Sequence, residues 1–295
     1  MFQEAQLYAP VTTAEDGTVT VHLADDHPGF ADPRYRERRN RIASLALGWE
    51  PGDPIPPVGY TAEEQQVWRT VCGELAAKHE RLACSEYRQA MAQLALPTDR
   101  IPQLDEVGAR LAPLTGFEYR PAAGLVPFDQ FYGSLAEGVF HSTQYLRHHA
   151  RPLYTPEPDL LHEVVGHGGT LASSRLADLN RRAGRAARRL RTKEARDFFA
   201  HVFWFTIEFG VLYERGELRA YGAGLLSSYG EIEEFRGAEI RALDIAAMGV
   251  QDYDITRYQP LLFAAESIEQ VLEVVGAFFE TCDDEVAPRL TAGVG

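Results

Sequence analysis

The run from Phe198 to Tyr213, FFAHVFWFTIEFGVLY, constrains this chain more than any other stretch. It is apolar on every side, so it cannot lie on a surface as an amphipathic helix and is predicted to be a helix buried in a core. A chain of 295 residues, 45% of them hydrophobic, is long enough to supply that core in one large domain. Glu208 is the only acidic residue in the run. A lone buried carboxylate is costly unless it is neutralised, paired or bound to a metal. Three partners would satisfy it: an arginine, His201 on the same helix, or a metal ion.

A second stretch supplies candidate co-ligands. Tyr154-Thr-Pro-Glu-Pro-Asp-Leu-Leu-His162-Glu163-Val-Val-Gly166-His167 looks like a metalloprotease signature, but that motif needs its histidines four apart. Five residues of ideal helix turn about 500°, which sets His162 and His167 about 140° apart. They can share a metal only if the helix ends or widens between them, and Gly166 is a residue that permits this. Two histidines and a carboxylate are the ligands of non-haem iron(II) oxygenases, with zinc as the alternative metal.

The remaining composition narrows the classes of function. A formal net charge of −14 argues against broad contact with nucleic acid or an anionic membrane, which needs Lys and Arg to displace counterions. Cys72, Cys84 and Cys282 are odd in number and unpatterned, as expected of reduced thiols in a cytoplasmic protein. No basic, then apolar leader opens the chain, and no apolar run is long enough to span a membrane. A small-molecule substrate is therefore expected, with neither nucleic acid nor membrane as partner.

Local signals mark the organisation. Thr18 to Leu23 alternates like a short strand in an otherwise polar arm. Four prolines between Glu50 and Tyr60 enforce a loop, and Thr61 with Glu64 forms a capping box that opens a helical pattern running, with interruptions, to Pro97. Ser267 with Gln270 opens a last amphipathic helix to about Glu280. Arg181 to Arg196 holds seven arginines and one lysine, read as the solvated face of a helix or as a site for an anionic partner. Tyr221-Gly-Ala-Gly224 lacks the third glycine and the acidic residue of a dinucleotide fingerprint.

Taken together, the blocks Ile101–Leu104, Arg120–Gly124, Val139–Tyr145, Tyr154–His167, Phe203–Gly210 and Tyr221–Glu231 resemble the tetrahydropterin-dependent aromatic amino acid hydroxylases. The likeness is strongest to bacterial phenylalanine 4-hydroxylases made of the catalytic domain alone, and it runs from about Asp26 to Glu280. It implies a mainly α fold (α+β with a small β element) in a single catalytic domain, 26–285, after an arm, 1–25, and before a tail, 286–295. It implies that His162, His167 and Glu208 hold Fe(II), and that Phe131 with Gly124, Leu125 and Val126 faces a tetrahydrobiopterin or related tetrahydropterin. Glu163 would lie on the pterin and dioxygen side. Arg147, Thr155, Asp159 and Ser227 would hold the amino acid, with Arg147 on its carboxylate. Trp204 and Phe209 would wall the pocket for its ring, and His141 would lie close to that ring. The same aromatics would also suit an ordinary core, and Arg147 or Ser227 an ordinary loop end or turn.

The implied reaction converts phenylalanine to tyrosine with O2, the pterin supplying two electrons. One departure bears on it: His167 is followed by Gly168 and Gly169, where the family has an apolar residue and a proline. Two glycines are expected to loosen that turn and clear side chains from the metal, which opens another ring position or another aromatic amino acid as alternatives. Rivals outside this reading are a metal-free protein that binds an aromatic amino acid and, against the histidine spacing, a zinc hydrolase. A monomer or weak dimer is expected.

Overall fold

The computed structural model describes residues 10–124 and 126–291. A short hairpin of β1 (Val11–Thr13) and β2 (Val19–Val21) falls where the sequence alternates. It is followed by helices α1 (Pro33–Leu47), α2 (Ala62–Leu82), α3 (Ser85–Leu94) and α4 (Leu104–Thr115). The Thr61–Glu64 capping box forms as predicted, with both reciprocal hydrogen bonds. The helical pattern that follows breaks at Ala83–Cys84, where extended backbone lets Ser85 start a new helix before Pro97.

Strands β3 (Glu118–Pro121) and β4 (Val139–Ser142) pair in parallel around α5 (Phe128–Leu135). Next comes a helical stretch, 160–171, whose central residues His162–Gly168 are π-helical, and then α6 (Ser174–Ala187). Helix α7 (Lys193–Phe203) runs into a second π-helical turn, Trp204–Glu208.

The apolar run from Phe198 is thus helical only to Glu208. Its last part, predicted as helix, is instead strand β5 (Val211–Glu214), because the chain leaves helical geometry at Phe209 (φ −121°, ψ 23°). Strands β5, β6 (Glu217–Ala220), β7 (Glu239–Ala242) and β8 (Leu261–Ala265) form a sheet in the order β6-β5-β8-β7. Arg215 and Gly216 turn the β5–β6 hairpin with positive φ at both positions, the two-residue turn that matches strand twist. The helix capped by Ser267 extends through a third π-helical segment, Val271–Val275, to Thr281, and a short helix, Val286–Thr291, follows it.

One large core joins α2–α7, the sheet and the π turns that carry His162, His167 and Glu208. The arginine run lies along an exposed face, with Arg185, Arg188, Arg189 and Arg191 open to solvent, and part of it also braces the fold. Arg189 donates to the carbonyls of Phe279, Glu280 and Cys282, Arg182 to Asp178 and Glu280, Arg188 to Glu137, and Arg196 to Asp129. These residues fasten the Ser267-capped helix and α5 onto the bundle, using planar forks that reach several acceptors at once. The three cysteines are free and buried. Among the described residues no helix is long and apolar enough to cross a membrane.

Candidate active site

The spacing that ruled out a regular helix is accommodated by the π turn. Its i→i+5 ladder stacks residues five apart, so His162 and His167 project the same way and their Nε2 atoms approach to 3.1 Å. Widening a helix disturbs its carbonyls, and two buried tyrosines take them up: Tyr119 Oη donates to the Glu163 carbonyl at 2.7 Å and Tyr87 Oη to that of Val165 at 3.0 Å. Glu208, at the end of the other π turn, completes the set. Its Oε1 lies 3.1 Å from His167 Nε2 and its Oε2 3.7 Å from His162 Nε2.

Two glycines allow the approach. A Cβ at Gly166 would stand 2.6 Å from the Ala223 carbonyl oxygen, and one at Gly222 would stand 2.4 Å from that of Glu208. The Tyr221–Gly224 stretch therefore serves to seat the short helix Ala223–Ser227 against both turns.

Hydrogen bonding sets the protonation of the cluster. Ser227 Oγ spends its proton on the Ala223 carbonyl at 2.9 Å, so at 2.9 Å it accepts from His162 Nδ1–H and leaves His162 Nε2 as a lone pair. Burial, with His167 close by, pushes the His162 imidazole down to about 4, so the ring is neutral at ordinary pH. Burial pushes the Glu208 carboxyl up, but the neighbouring His167 and His162 rings outweigh it and the net shift is downward. Glu208 Oε1 accepts no hydrogen bond, although it is buried. Two imidazole nitrogens and a buried carboxylate thus converge on one point, and a cation is what such a ligand set fits.

A Glu163 carboxylate oxygen also lies within 4.8 Å of one ring nitrogen of each histidine. Burial, then the charges of Glu208 and Asp159, push the Glu163 carboxyl well above the usual range. Of the two acids beside the histidines, Glu163 keeps its proton and Glu208 gives it up.

The remaining candidates group on three sides. Arg147, 4% exposed, is held by Asp159, which takes its Nε and Nη2 and its backbone N–H at 2.8 Å each. Asp159 also accepts from the backbone N–H of His162 at 3.3 Å, tying this clamp to the cluster. Thr155 closes a turn onto the Glu157 carbonyl at 2.8 Å. On a second side Trp204 and Phe209 pack with centroids 4.3 Å apart.

On the third side Phe131 meets Phe140 edge-on at 5.7 Å, and Phe140 lies 4.7 Å from His167. His141 is pushed down to about 4 by burial and then by Arg120, and its Nδ1 lies 3.2 Å from Ser134 Oγ. A Cβ at Gly124 would stand 2.9 Å from Val11 of the arm. Val126 is buried, and Leu125 lies outside the described residues.

Residues 13–289 match the family model described as biopterin-dependent aromatic amino acid hydroxylase. The chain belongs to that family. It is 51% identical to a phenylalanine 3-hydroxylase of Streptomyces coeruleorubidus, over 90% of this chain and 96% of that protein. It is 41% identical to the phenylalanine-4-hydroxylase of Rattus norvegicus, over 88% of this chain but only 59% of that longer protein. Among solved structures, the apo phenylalanine hydroxylase of Colwellia psychrerythraea superposes with a TM-score of 0.74 at 32% identity, over 83% of this chain and 94% of that one. A Chromobacterium violaceum phenylalanine hydroxylase with bound iron(III) and 7,8-dihydrobiopterin superposes with a TM-score of 0.70 at 27% identity, over 75% and 82%.

Within this hydroxylase the Gly168–Gly169 pair is not a loosened turn. Both residues are helical, at φ −57°, ψ −40° and φ −63°, ψ −43°. Their space is filled by other side chains, since a Cβ would stand 3.0 Å from Tyr119 Oη at Gly168 and 2.4 Å from the Tyr87 ring at Gly169. The glycines admit the two tyrosines that hold the π turn. His201 does not serve Glu208: it bonds the Gly249 carbonyl at 3.1 Å and meets Tyr253 edge-on. Sequence reasoning missed Tyr87 and Tyr119, and it missed Tyr253, Gln259 and Glu231, which back the aromatic wall. The only signal for Tyr253 and Gln259 was the aromatic and amide content of the loop QDYDITRYQP.

Proposed function

We propose that this hydroxylase binds iron(II) through His162 Nε2, His167 Nε2 and Glu208, takes a tetrahydropterin beside Phe131 and the Gly124–Val126 segment, and hydroxylates the ring of phenylalanine. The observation that carries the reading is the convergence of two imidazole nitrogens and a buried carboxylate beside a buried arginine and an aromatic wall. When bound, the metal and the reduced pterin supply dioxygen activation, the pterin giving two electrons.

The chain's own residues do the rest. Asp159 occupies Nε and Nη2 of Arg147, which leaves Nη1 for the substrate carboxylate and fixes its direction. Trp204 and Phe209 hold the ring and keep water out. Glu163 stands beside the cluster, and Ser227 holds His162 in its ligating tautomer.

For the ring position, the relative at 51% identity supports the meta carbon, and the 4-hydroxylases at 40–44% support the para carbon. Meta is our reading, because that likeness spans nearly the whole of both chains. The test is aerobic turnover of iron(II)-loaded protein with a tetrahydropterin and, separately, phenylalanine, tyrosine and tryptophan, with products separated against ortho, meta and para standards. The expected product is meta-tyrosine from phenylalanine. Para-tyrosine would overturn the position alone, and no product with iron bound would overturn the function.

A further inference from the structure

Trp204 is held in an unusual way. Its indole is sandwiched between Tyr253, stacked at 4.2 Å and 9°, and Phe209, at 4.3 Å and 35°. Stacking of this kind fixes a ring's plane but resists sliding and rotation within that plane only weakly. The directional contact is one hydrogen bond, from Trp204 Nε1–H to Gln259 Oε1 at 3.1 Å, in a buried position.

Gln259 is in turn fully committed. Its Nε2 donates to the carbonyls of Asp254 at 2.9 Å and Arg257 at 3.1 Å, inside its own loop. Its backbone N–H donates to Glu231 Oε1 at 2.7 Å. An indole nitrogen can only donate, so the amide cannot flip without setting two donors face to face. The side chain therefore has one orientation, and it passes the position of Glu231 and the loop 251–260 on to the indole.

We infer that Gln259 is a positioning residue that sets the in-plane tilt of Trp204 and thereby which ring carbon of the substrate faces the metal. The inference rests on the reading of Trp204 and Phe209 as the walls of the ring pocket. Gln259 touches neither substrate nor metal in it. A ring displaced by a fraction of an ångström presents a different carbon, so the tether is a specificity determinant and not only a brace.

Two readouts test it, one of which needs no substrate. In 15N spectra the three tryptophans give three indole resonances, and Trp204→Phe identifies the one from Trp204. Gln259→Met, similar in shape but unable to accept, is expected to shift that resonance and to raise KM for phenylalanine about threefold to tenfold, the range set by losing one neutral hydrogen bond. KM for the tetrahydropterin stays unchanged, and the ratio of ortho, meta and para products changes.

An unmoved resonance in Gln259→Met overturns the tether. A shifted resonance with unchanged product ratio overturns the positioning role. If the wild type hydroxylates no aromatic amino acid, the proposed function fails and takes the choice of carbon with it, while the shifted resonance still supports the tether itself.

Discussion

The two walls that flank the histidine–carboxylate cluster are built on opposite principles. On one side Arg147 and Asp159 form a buried ion pair with every contact at 2.8 Å, joined through Asp159 to the backbone of His162. On the other side Trp204, Tyr253 and Phe209 stack, and one neutral amide orients them. A buried ion pair has one acceptable geometry and fails abruptly when a partner is lost. Stacked rings tolerate small displacements at little cost. Under the proposed function the contrast would assign them different work: the charged wall would fix where the substrate's backbone end sits, and the aromatic wall would be where the ring position can be adjusted.

The strongest way to break this comparison is to remove what both walls face. His162→Ala or Glu208→Ala is expected to abolish iron binding, by metal analysis, and turnover, while far-UV circular dichroism stays that of the wild type. Full activity in either variant would remove the cluster from the mechanism. Next in size is the charged wall. Asp159→Ala strands the Arg147 guanidinium in the core and is expected to cost about 3–5 kcal/mol in urea denaturation. The pair Arg147→Met with Asp159→Leu should recover most of that stability and none of the activity. Recovery of activity would mean that the ion pair does not serve the substrate.

How much of this could be read from residues alone follows the same division. Glu208 was legible because a single carboxylate in an apolar run is an anomaly, and His162 with His167 because five is the wrong spacing for a regular helix. Both anomalies are resolved by π turns, which spacing permits but does not dictate. A third π segment, Val271–Val275, carries no such ligands, so widened helix alone is no sign of a site. The Thr61 capping box and the Ser267 cap were legible because they are local, although Gln270 accepts from the Glu266 N–H and so does not close the second box on Ser267.

Contacts between distant segments were not legible. The helix from Phe198 gives way to strand after Phe209 because β8 offers β5 a pairing partner from about fifty residues further on. The arginine run finds its acceptors on the Ser267-capped helix, and Gly168 with Gly169 finds Tyr119 and Tyr87. Gln259 gains its role only when loop 251–260 closes onto Trp204.

The aromatic wall can be probed more gently through the acid behind it. Burial pushes the Glu231 carboxyl up to about 7 in the folded chain, while in the unfolded chain it titrates near the ordinary glutamate value of about 4.3. Between those values the unfolded chain has released the proton and the folded chain still holds it. The stability this group contributes is therefore complete below about pH 4.3 and is lost as pH rises towards 7. Glu231→Gln keeps an oxygen for the Gln259 N–H and removes the titration. The wild type should lose on the order of 2 kcal/mol more than this variant between pH 4.5 and about 7, by denaturation at each pH. Parallel profiles would show that Glu231 is charged in the fold.

The smallest effect discriminates best within the wall. Tyr253 stacks on the face of Trp204, while the indole nitrogen donates to Gln259. Tyr253→Leu removes the aromatic stack and leaves the Gln259 tether in place, at an expected cost of about 1 kcal/mol. If the tether sets the tilt of the indole, Tyr253→Leu lowers stability slightly and leaves the distribution of ring products as in the wild type. If the stack sets it, Tyr253→Leu scrambles the products as much as Gln259→Met does. Chromatography of the two variants side by side decides whether the adjustable wall is steered by one amide or by the packing of its rings.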